Sequence, residues 1–497
     1  MAMDVTRREL LRNASLAAGL TALGGVWSDG EARASRSPNE KINLAHIGAG
    51  GQGAADLNQT SSHPQVNIVA LCDVDDKQAA NKYKQYPNVP KFKDFRKMLD
   101  AQGKDIDACI VTIPDFMHAT AAIACMERGK HVYVQKPLVH TIEEARAMLA
   151  AAQKYKVATQ MGNQGYSNEG TRQAAEMVWA GEIGNVTEVH AWTDRPWWPQ
   201  GLTSIPAPND PPATLDWALW QGPLEKRPYT TGGEGYPNKY GNFYQPFNWR
   251  GFFDFGCGAI GDMACHILGA PNMALRLGSP TSVECIFKEG TSPFMYPKKS
   301  VLRYDFPARG NMPPVKVFWH DGMTESPKID GVPAGELLGD LPRIPRKPGE
   351  AAPPPPPRTG FVGSVFDYDR FMAVSQPGIK PADPNGSLFI GEKGMMTTGT
   401  YGEDTRLIPA AEKMKDYKFP TPLLTRSPGH YQDWIRAAKG GDPAASNFNV
   451  AVPFVEWMLL GVIAQRTEGK LEWDAEKGLF SNNKDANKLL KPPFKVG

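Results

Sequence analysis

Cysteine is scarce and unpatterned in this chain. The six residues, Cys72, Cys109, Cys125, Cys257, Cys265 and Cys285, form no Cys-x-x-Cys pair and share no metal-type spacing with histidine. A structural zinc module is therefore not expected, and no metal is. Cys72 and Cys109 fall in apolar runs, where cysteine acts as a small hydrophobe. Net charge is lacking too: the formal value is +2, with no basic run inside the folded part. That gives no broad field for nucleic acid or an anionic membrane. Beyond the N-terminus, no stretch is long and apolar enough to span a bilayer.

What is present begins with a targeting pattern. Thr6-Arg7-Arg8-Glu9-Leu10-Leu11 reads as a twin-arginine signal, followed by the weakly apolar run Ala14 to Trp27 and the small-x-small site Ala32-Arg33-Ala34. An amphipathic N-terminal helix is the alternative. Residues 1–34 are thus expected to address the protein, already folded, to the periplasm through the twin-arginine machinery. A protein folded in the cytoplasm before export need not carry disulfides. The 497 residues exceed one hydrophobic core, so two domains are expected. Twelve tryptophans suit either a core or the aromatic walls common at sugar sites.

The first domain, placed at 40–165, carries a nucleotide signature. The apolar run Ile42–Ile47 leads into Gly48-Ala49-Gly50-Gly51-Gln52-Gly53 and then into helix-compatible residues. In a G-x-G-x-x-G turn Gly48 permits the tight bend, Gly50 the approach of a pyrophosphate, and Gly53 the packing of helix on strand. Free N–H groups at the helix start face the phosphates. A second strand, Val66–Cys72, ends in Asp73, about twenty residues downstream, where a carboxylate binds the ribose 2′-hydroxyl. Val74 and Asp75 follow instead of a basic residue, which favours NAD over NADP. The alternation continues with a strand Ile106–Ile113 ending in Pro114, a helix Ala119–Arg128, a strand His131–Val134, a helix Ile142–Tyr155 and a strand Val157–Met161. The expected fold class is α/β, beginning with a doubly wound parallel Rossmann sheet.

Gln135-Lys136-Pro137, after the strand His131–Val134, resembles the Glu-Lys-Pro signature of the glucose–fructose oxidoreductase/inositol dehydrogenase (Gfo/Idh/MocA) family. Pro114 with His118, the Gly256–His266 stretch ending in Asp-x-x-x-His, and the turn Gly391–Gly394 are similar to further features of that family. Gln160–Gly165 and the Arg195-Pro196-Trp197-Trp198 region resemble its exported, Trp-rich subgroup. The resemblance implies a second α/β domain, 166–497, with a large, mostly antiparallel sheet whose open face commonly forms an oligomer interface. A homo-oligomer is accordingly expected. Two departures stand out. Gln135 replaces the usual Glu and removes a charge beside the cofactor. Extra segments near 199–245 and 323–360 also interrupt the second domain, the latter ending in the run Pro353–Pro357, an expected extended linker.

By the same resemblance Lys136 sits beside the nicotinamide, Asp262 orients and His266 is the general acid/base. Chemistry agrees, since removing hydride from an alcohol requires a base for the hydroxyl proton and a cation for the developing alkoxide. Four residues apart, Asp262 and His266 would share a helix face. A solvated Lys136, a core His266 and a helix-capping Asp262 are the structural alternatives. Gly48, Ala49, Gly50, Gly51, Gln52, Gly53, Asp73, Pro114, His118 and Gln135 are the candidate cofactor contacts. His118 is also a candidate on the substrate side, with Asn163, Arg195, Trp197, Trp198 and Arg250. His46 and His190 read as structural.

Nicotinamide cofactors are regenerated in the cytoplasm, so an exported enzyme is expected to load NAD while folding and to recycle it in place. Oxidation of a sugar, glycoside or cyclitol hydroxyl followed by reduction of a second carbonyl meets that requirement. So does glycoside cleavage by oxidation, elimination and re-reduction. A Tyr-Pro-Thr-His-Gly motif associated with the exported glycosidase branch is missing from the sequence. That favours the oxidoreductase over the glycosidase, and over a non-catalytic carbohydrate-binding protein with a structural cofactor.

Overall fold

A computed structural model describes residues 41–232, 241–342, 366–376, 378–381 and 383–494. The twin-arginine segment and the proline run lie outside these residues. Short apolar runs build the first layer. Strands β1 (Ile42–Ile47), β2 (Val66–Cys72), β3 (Lys91–Phe92), β4 (Ala108–Val111), β5 (His131–Val134) and β6 (Thr159–Met161) make a six-stranded sheet in the order β3-β2-β1-β4-β5-β6. All of its pairs are parallel. The helices between them are α1 (Gly51–Ser61), α2 (Asp76–Gln85), α3 (Phe95–Gln102), α4 (Asp115–Glu127) and α5 (Ile142–Tyr155). This is the doubly wound Rossmann order, with its crevice at the carboxyl ends of β1 and β4.

The strands are apolar on both faces because both are covered. Ile42, Leu44, Ala108 and Ile110 pack on one side; Ala45, Ile47, Cys109 and Val111 on the other. The first side is closed partly from far down the chain. Helix α8 (His430–Ala438) places Tyr431, Trp434 and Ile435 in that layer, which completes the nucleotide domain across the expected boundary near 165. Three elements depart from their expected bounds. The strand expected over Ile106–Ile113 is β4 alone, and the following helix starts at Asp115 instead of Ala119. Pro114 explains both, since its extended backbone ends the strand and immediately precedes the helix. The strand expected from Val157 begins at Thr159, where pairing with β5 begins.

The second sheet has nine strands. They are β7 (Val186–Trp192), β8 (Ser282–Glu289), β9 (Lys299–Phe306), β10 (Val315–Asp321), β11 (Gly386–Gly391), β12 (Gly394–Thr398), β13 (Arg406–Ile408), β14 (Leu471–Asp474) and β15 (Leu479–Phe480). Their order is β13-β12-β11-β7-β10-β9-β8-β14-β15, antiparallel except for β7 with β10. Helices α6 (Glu169–Trp179), α7 (Gly269–Leu275) and α9 (Phe448–Ala464) belong to this half of the molecule. Tyr304 and Phe306 of β9 meet Trp457 of α9 edge-on. Toward the opposite face His190 stacks on Phe318, and Ile286 and Phe287 stay about half exposed. All six cysteines are free, and among the described residues no helix is long and apolar enough to cross a membrane.

The turn after β1 depends on glycine. Gly48 has φ +90°, and a Cβ there would lie 2.0 Å from the Thr112 carbonyl oxygen. Gly53 is bare because a Cβ would lie 2.1 Å from the Gly48 carbonyl oxygen, where α1 crosses the turn. Gly48→Ala is expected to cost on the order of 1–3 kcal/mol from overpacking, with backbone strain adding to it. A thermal melt reads this as a clear fall in melting temperature.

Candidate active site

One cavity of about 630 Å³ runs from the glycine turn to Lys136, Asp262 and His266. At its first end, α1 begins at Gly51 and leaves its initial N–H groups without helical acceptors. Asp73 pins the turn to β2. Its Oδ2 accepts from the amides of Ala49 (2.9 Å) and Gly50 (3.1 Å), and Oδ1 accepts from Asp75 N–H (2.9 Å). Burial pushes the Asp73 carboxyl above its ordinary range, against those donors. Gly48, Gly50, Gly51, Gln52, Asp73, Pro114 and Gln135 line the cavity, whereas Ala49 and Gly53 lie behind its wall. The open space over Gly51, the free helix-start amides and the carboxylate at the end of β2 fit a dinucleotide.

Gln135 meets a carboxylate that sequence reading had not singled out. Asp56, fully buried on α1, accepts from Gln135 Nε2 at 2.9 Å (Oδ1) and 2.8 Å (Oδ2). Gln52 Nε2 (2.8 Å), Thr112 Oγ1 (2.7 Å) and the Tyr431 hydroxyl (2.7 Å) complete its shell. Burial pushes the Asp56 carboxyl up, and the four donors oppose that. The carboxyl missing at position 135 thus stands on its hydrogen-bond partner. No spacing rule reaches Asp56, since the glycine fingerprint ends three residues before it.

At the other end, Lys136 follows β5 and reaches across to Asp262. Its Nζ donates to Oδ1 and to the backbone carbonyl of Asp262, both at 2.8 Å. Asp262 lies in a π-helical turn, Ile260–Ala264, a wider coil than the ordinary helix expected for the Asp262/His266 pair. Both side chains nevertheless line the cavity. Arg250 Nε donates to Asp262 Oδ1 at 3.2 Å, and Arg195 Nε stands 3.9 Å from Oδ2. Burial alone would raise the Asp262 carboxyl; Lys136, Arg250 and Arg195 outweigh it and hold the group well below the usual carboxylate range. His266 moves down as well, through burial and then the charge of Lys136, and is a neutral imidazole near pH 7. The ring of Tyr401, also on the wall, packs edge-on against His266 with centroids 4.7 Å apart. Tyr401 belongs to this centre and was missed, because an isolated tyrosine carries no motif.

Of the substrate candidates, Arg195, Trp197 and Arg250 line the cavity. The other three stand off the wall. Trp198 is buried and donates to Gln200, so it supports the fold. Asn163 is fully buried and its amide finds no partner among the described residues. His118 turns its two ring nitrogens to the carbonyl oxygens of Pro137 (2.8 Å) and Ile113 (2.7 Å), so it braces the segments that present Lys136 and Pro114. His46 and His190 are also off the wall.

The first extra segment forms part of the enclosure. Asp76 N–H donates to the Thr214 carbonyl (3.0 Å), and Asp216 N–H to the Val74 carbonyl (2.9 Å). This strap continues into Leu219 and Trp220, which line the cavity.

Residues 42–163 match the model of the Gfo/Idh/MocA oxidoreductase family, NAD-binding Rossmann fold. A glycosyl hydrolase family 109 protein of Solibacter usitatus is 32% identical over 201 residues, 37% of this chain and 45% of the relative. Inositol 2-dehydrogenase of Salmonella typhimurium is 29% identical over 127 residues, 25% of this chain and 37% of the relative. The chain therefore spans less than half the length of these curated relatives. The WlbA dehydrogenase of Bordetella pertussis, solved with NADH and UDP-GlcNAcA, superposes with a TM-score of 0.54 at 15% identity, covering 88% of this chain and 99% of that one. Levoglucosan dehydrogenase, solved with NADH and levoglucosan, gives 0.51 at 16%, covering 87% and 99%. These two likenesses concern the fold. Over residues 42–163 the chain is thus similar to the NAD-binding Rossmann domain of the Gfo/Idh/MocA oxidoreductase family.

Proposed function

We propose that this chain is an exported, NAD-dependent oxidoreductase that acts on a hydroxyl of a sugar, glycoside or cyclitol. The observation that carries this is the single cavity joining the glycine turn to Lys136, Asp262 and His266. A bound nicotinamide supplies the hydride acceptor; Gly48, Gly50, Gly51, Gln52 and Asp73 are the residues that would hold the nucleotide. Lysine has three N–H donors, and Lys136 spends two on Asp262. The third is available to the reacting oxygen and stabilises its developing negative charge. Asp262, kept ionised by its cations, fixes the ammonium. Neutral His266 takes the hydroxyl proton, with Tyr401 setting its ring. Trp197, about 40% exposed on the wall, offers an apolar face to a sugar ring.

NAD rather than NADP is favoured by Asp73 and Asp75 at the ribose end, where a 2′-phosphate would be repelled. The strap at residues 214–220 supports a retained, internally recycled cofactor, in keeping with export by the twin-arginine segment. The partly exposed face of the second sheet, with Ile286 and Phe287, supports a homo-oligomer. A glycosidase relative gives weight to a second reading, glycoside cleavage through transient oxidation.

The test uses the full protein isolated with its nucleotide, a panel of sugars and glycosides, and no added cofactor. Absorbance near 340 nm should rise with particular substrates and fall when a second carbonyl compound is added. Released aglycone without lasting reduction would replace this reading by glycoside cleavage. Absence of bound nucleotide would end the retained-cofactor account.

A further inference from the structure

Resting on that reading, we infer that the substrate carries a carboxylate, as a sugar acid does, and that Arg195 and Arg250 select it. Three cationic side chains meet at the Lys136 end of the cavity, and all three approach one carboxylate. Lys136, Arg250 and Arg195 lie 2.8, 3.2 and 3.9 Å from Asp262, and their side chains are only 18, 19 and 12% exposed. Asp194, off the cavity wall, takes one terminal nitrogen of Arg195 and the indole N–H of Trp197. That leaves three cations against two carboxylates. Asp115 adds little, because burial pushes its carboxyl up to about 7 and it is partly neutral at that pH.

The donor count points the same way. Arg250 gives Nε to Asp262 and one terminal nitrogen to the Phe247 carbonyl at 3.2 Å. Among the described residues its second terminal nitrogen makes no hydrogen bond, and neither does that of Arg195. Arg195 Nε is buried without a hydrogen-bond partner. Both guanidinium groups are held by aromatic rings: Arg195 lies 3.2 Å from the Trp197 centroid, and Arg250 lies 4.1 and 4.4 Å from those of Phe247 and Trp249. Planes held this way, with free donors at a cavity wall, match the forked geometry of a carboxylate. A neutral sugar would satisfy the donors but leave positive charge uncompensated in a half-closed site, which is unfavourable. An anion offsets that charge.

The experiment compares D-glucuronate and D-galacturonate with D-glucose and D-galactose on the nucleotide-loaded full chain. D-glucose 6-phosphate is a separate arm. Binding is read by tryptophan fluorescence and oxidation at 340 nm. A charge-assisted pair predicts that the acids bind about 30-fold tighter than their neutral parents, with the ratio shrinking as salt rises. Arg250→Gln and Arg195→Gln should each bring the ratio toward one, with nucleotide content and melting temperature recording that the variants are folded. Neutral sugars binding as well as the acids, acids that do not bind, or a ratio that survives both substitutions would overturn the inference. Preference for the sugar phosphate over both acids would overturn the carboxylate assignment. If the acids bind preferentially but nothing is oxidised, the redox reading falls and the inference stands. If acids and neutral sugars are oxidised alike, the reverse holds.

Discussion

Lys136→Met should lower single-turnover oxidation of substrate by about 10²- to 10³-fold while leaving the protein folded and its nucleotide bound. On the proposed function the ammonium is the donor that meets the reacting oxygen, and a thioether of similar length supplies none. The fold should tolerate the change because Asp262 keeps Arg250 at 3.2 Å and Arg195 at 3.9 Å, so its carboxylate is not left unpaired. Rapid-mixing absorbance at 340 nm, with a melt on the same sample, separates chemistry from stability. His266 extends the expectation to pH. Burial and Lys136 lower its proton affinity, so the base form required for oxidation persists below its ordinary titration range. The oxidation rate should therefore show no His266 limb as pH falls from 8 through 6.5, the value of an unperturbed histidine. A limb near 6.5 that disappears in His266→Gln would contradict this assignment.

Gln135→Glu should be the most damaging conservative substitution in the nucleotide domain. It would set a second carboxyl against the fully buried Asp56, where Gln135 Nε2 now donates at 2.8 and 2.9 Å. Two carboxylates in such contact cannot both ionise, so the folded variant must hold a shared proton. Its folded-state proton affinity is then raised above that of the unfolded chain. Stability relative to the parent is retained below about pH 4, the range of unfolded carboxyls, and lost as pH rises toward neutrality. The expected loss at pH 7 is on the order of 3 kcal/mol, read by denaturant melts across pH. Adding Asp56→Asn to Gln135→Glu restores one carboxylate and one amide in exchanged places. The double variant should recover at least half of the loss. No recovery would show that the position, not the charge, matters.

The expected α/β class was legible because its signals are local. Glycines at 48, 50 and 53 and an acid at 73 report a turn and a strand end, and both stand where the spacing put them. Lys136, Asp262 and His266 line one cavity, and a π-helical turn, unreadable from spacing, supplies the geometry. What escaped was contact between distant segments. Tyr431 completes the shell of Asp56 from 375 residues away, and Tyr401 reaches His266 from the far side of the second sheet's sequence. Trp198, Asn163 and His118 failed as wall residues for a related reason. Residue type proposes a contact, but two backbone carbonyls decided that His118, on α4, would brace Pro137 and Ile113.

The central claim, that a hydroxyl-bearing carbon delivers hydride to a nucleotide held beside Lys136 and His266, is tested most directly by isotope. The isolated holoprotein would be mixed with a substrate from the sugar panel deuterated at its carbinol carbons. The nucleotide would then be released by denaturation and weighed by mass spectrometry. Reduced NAD heavier by one deuterium, formed in the parent and absent in Lys136→Met, is the expected result. Unlabelled or unreduced nucleotide, in a sample that does turn substrate over, would contradict the account.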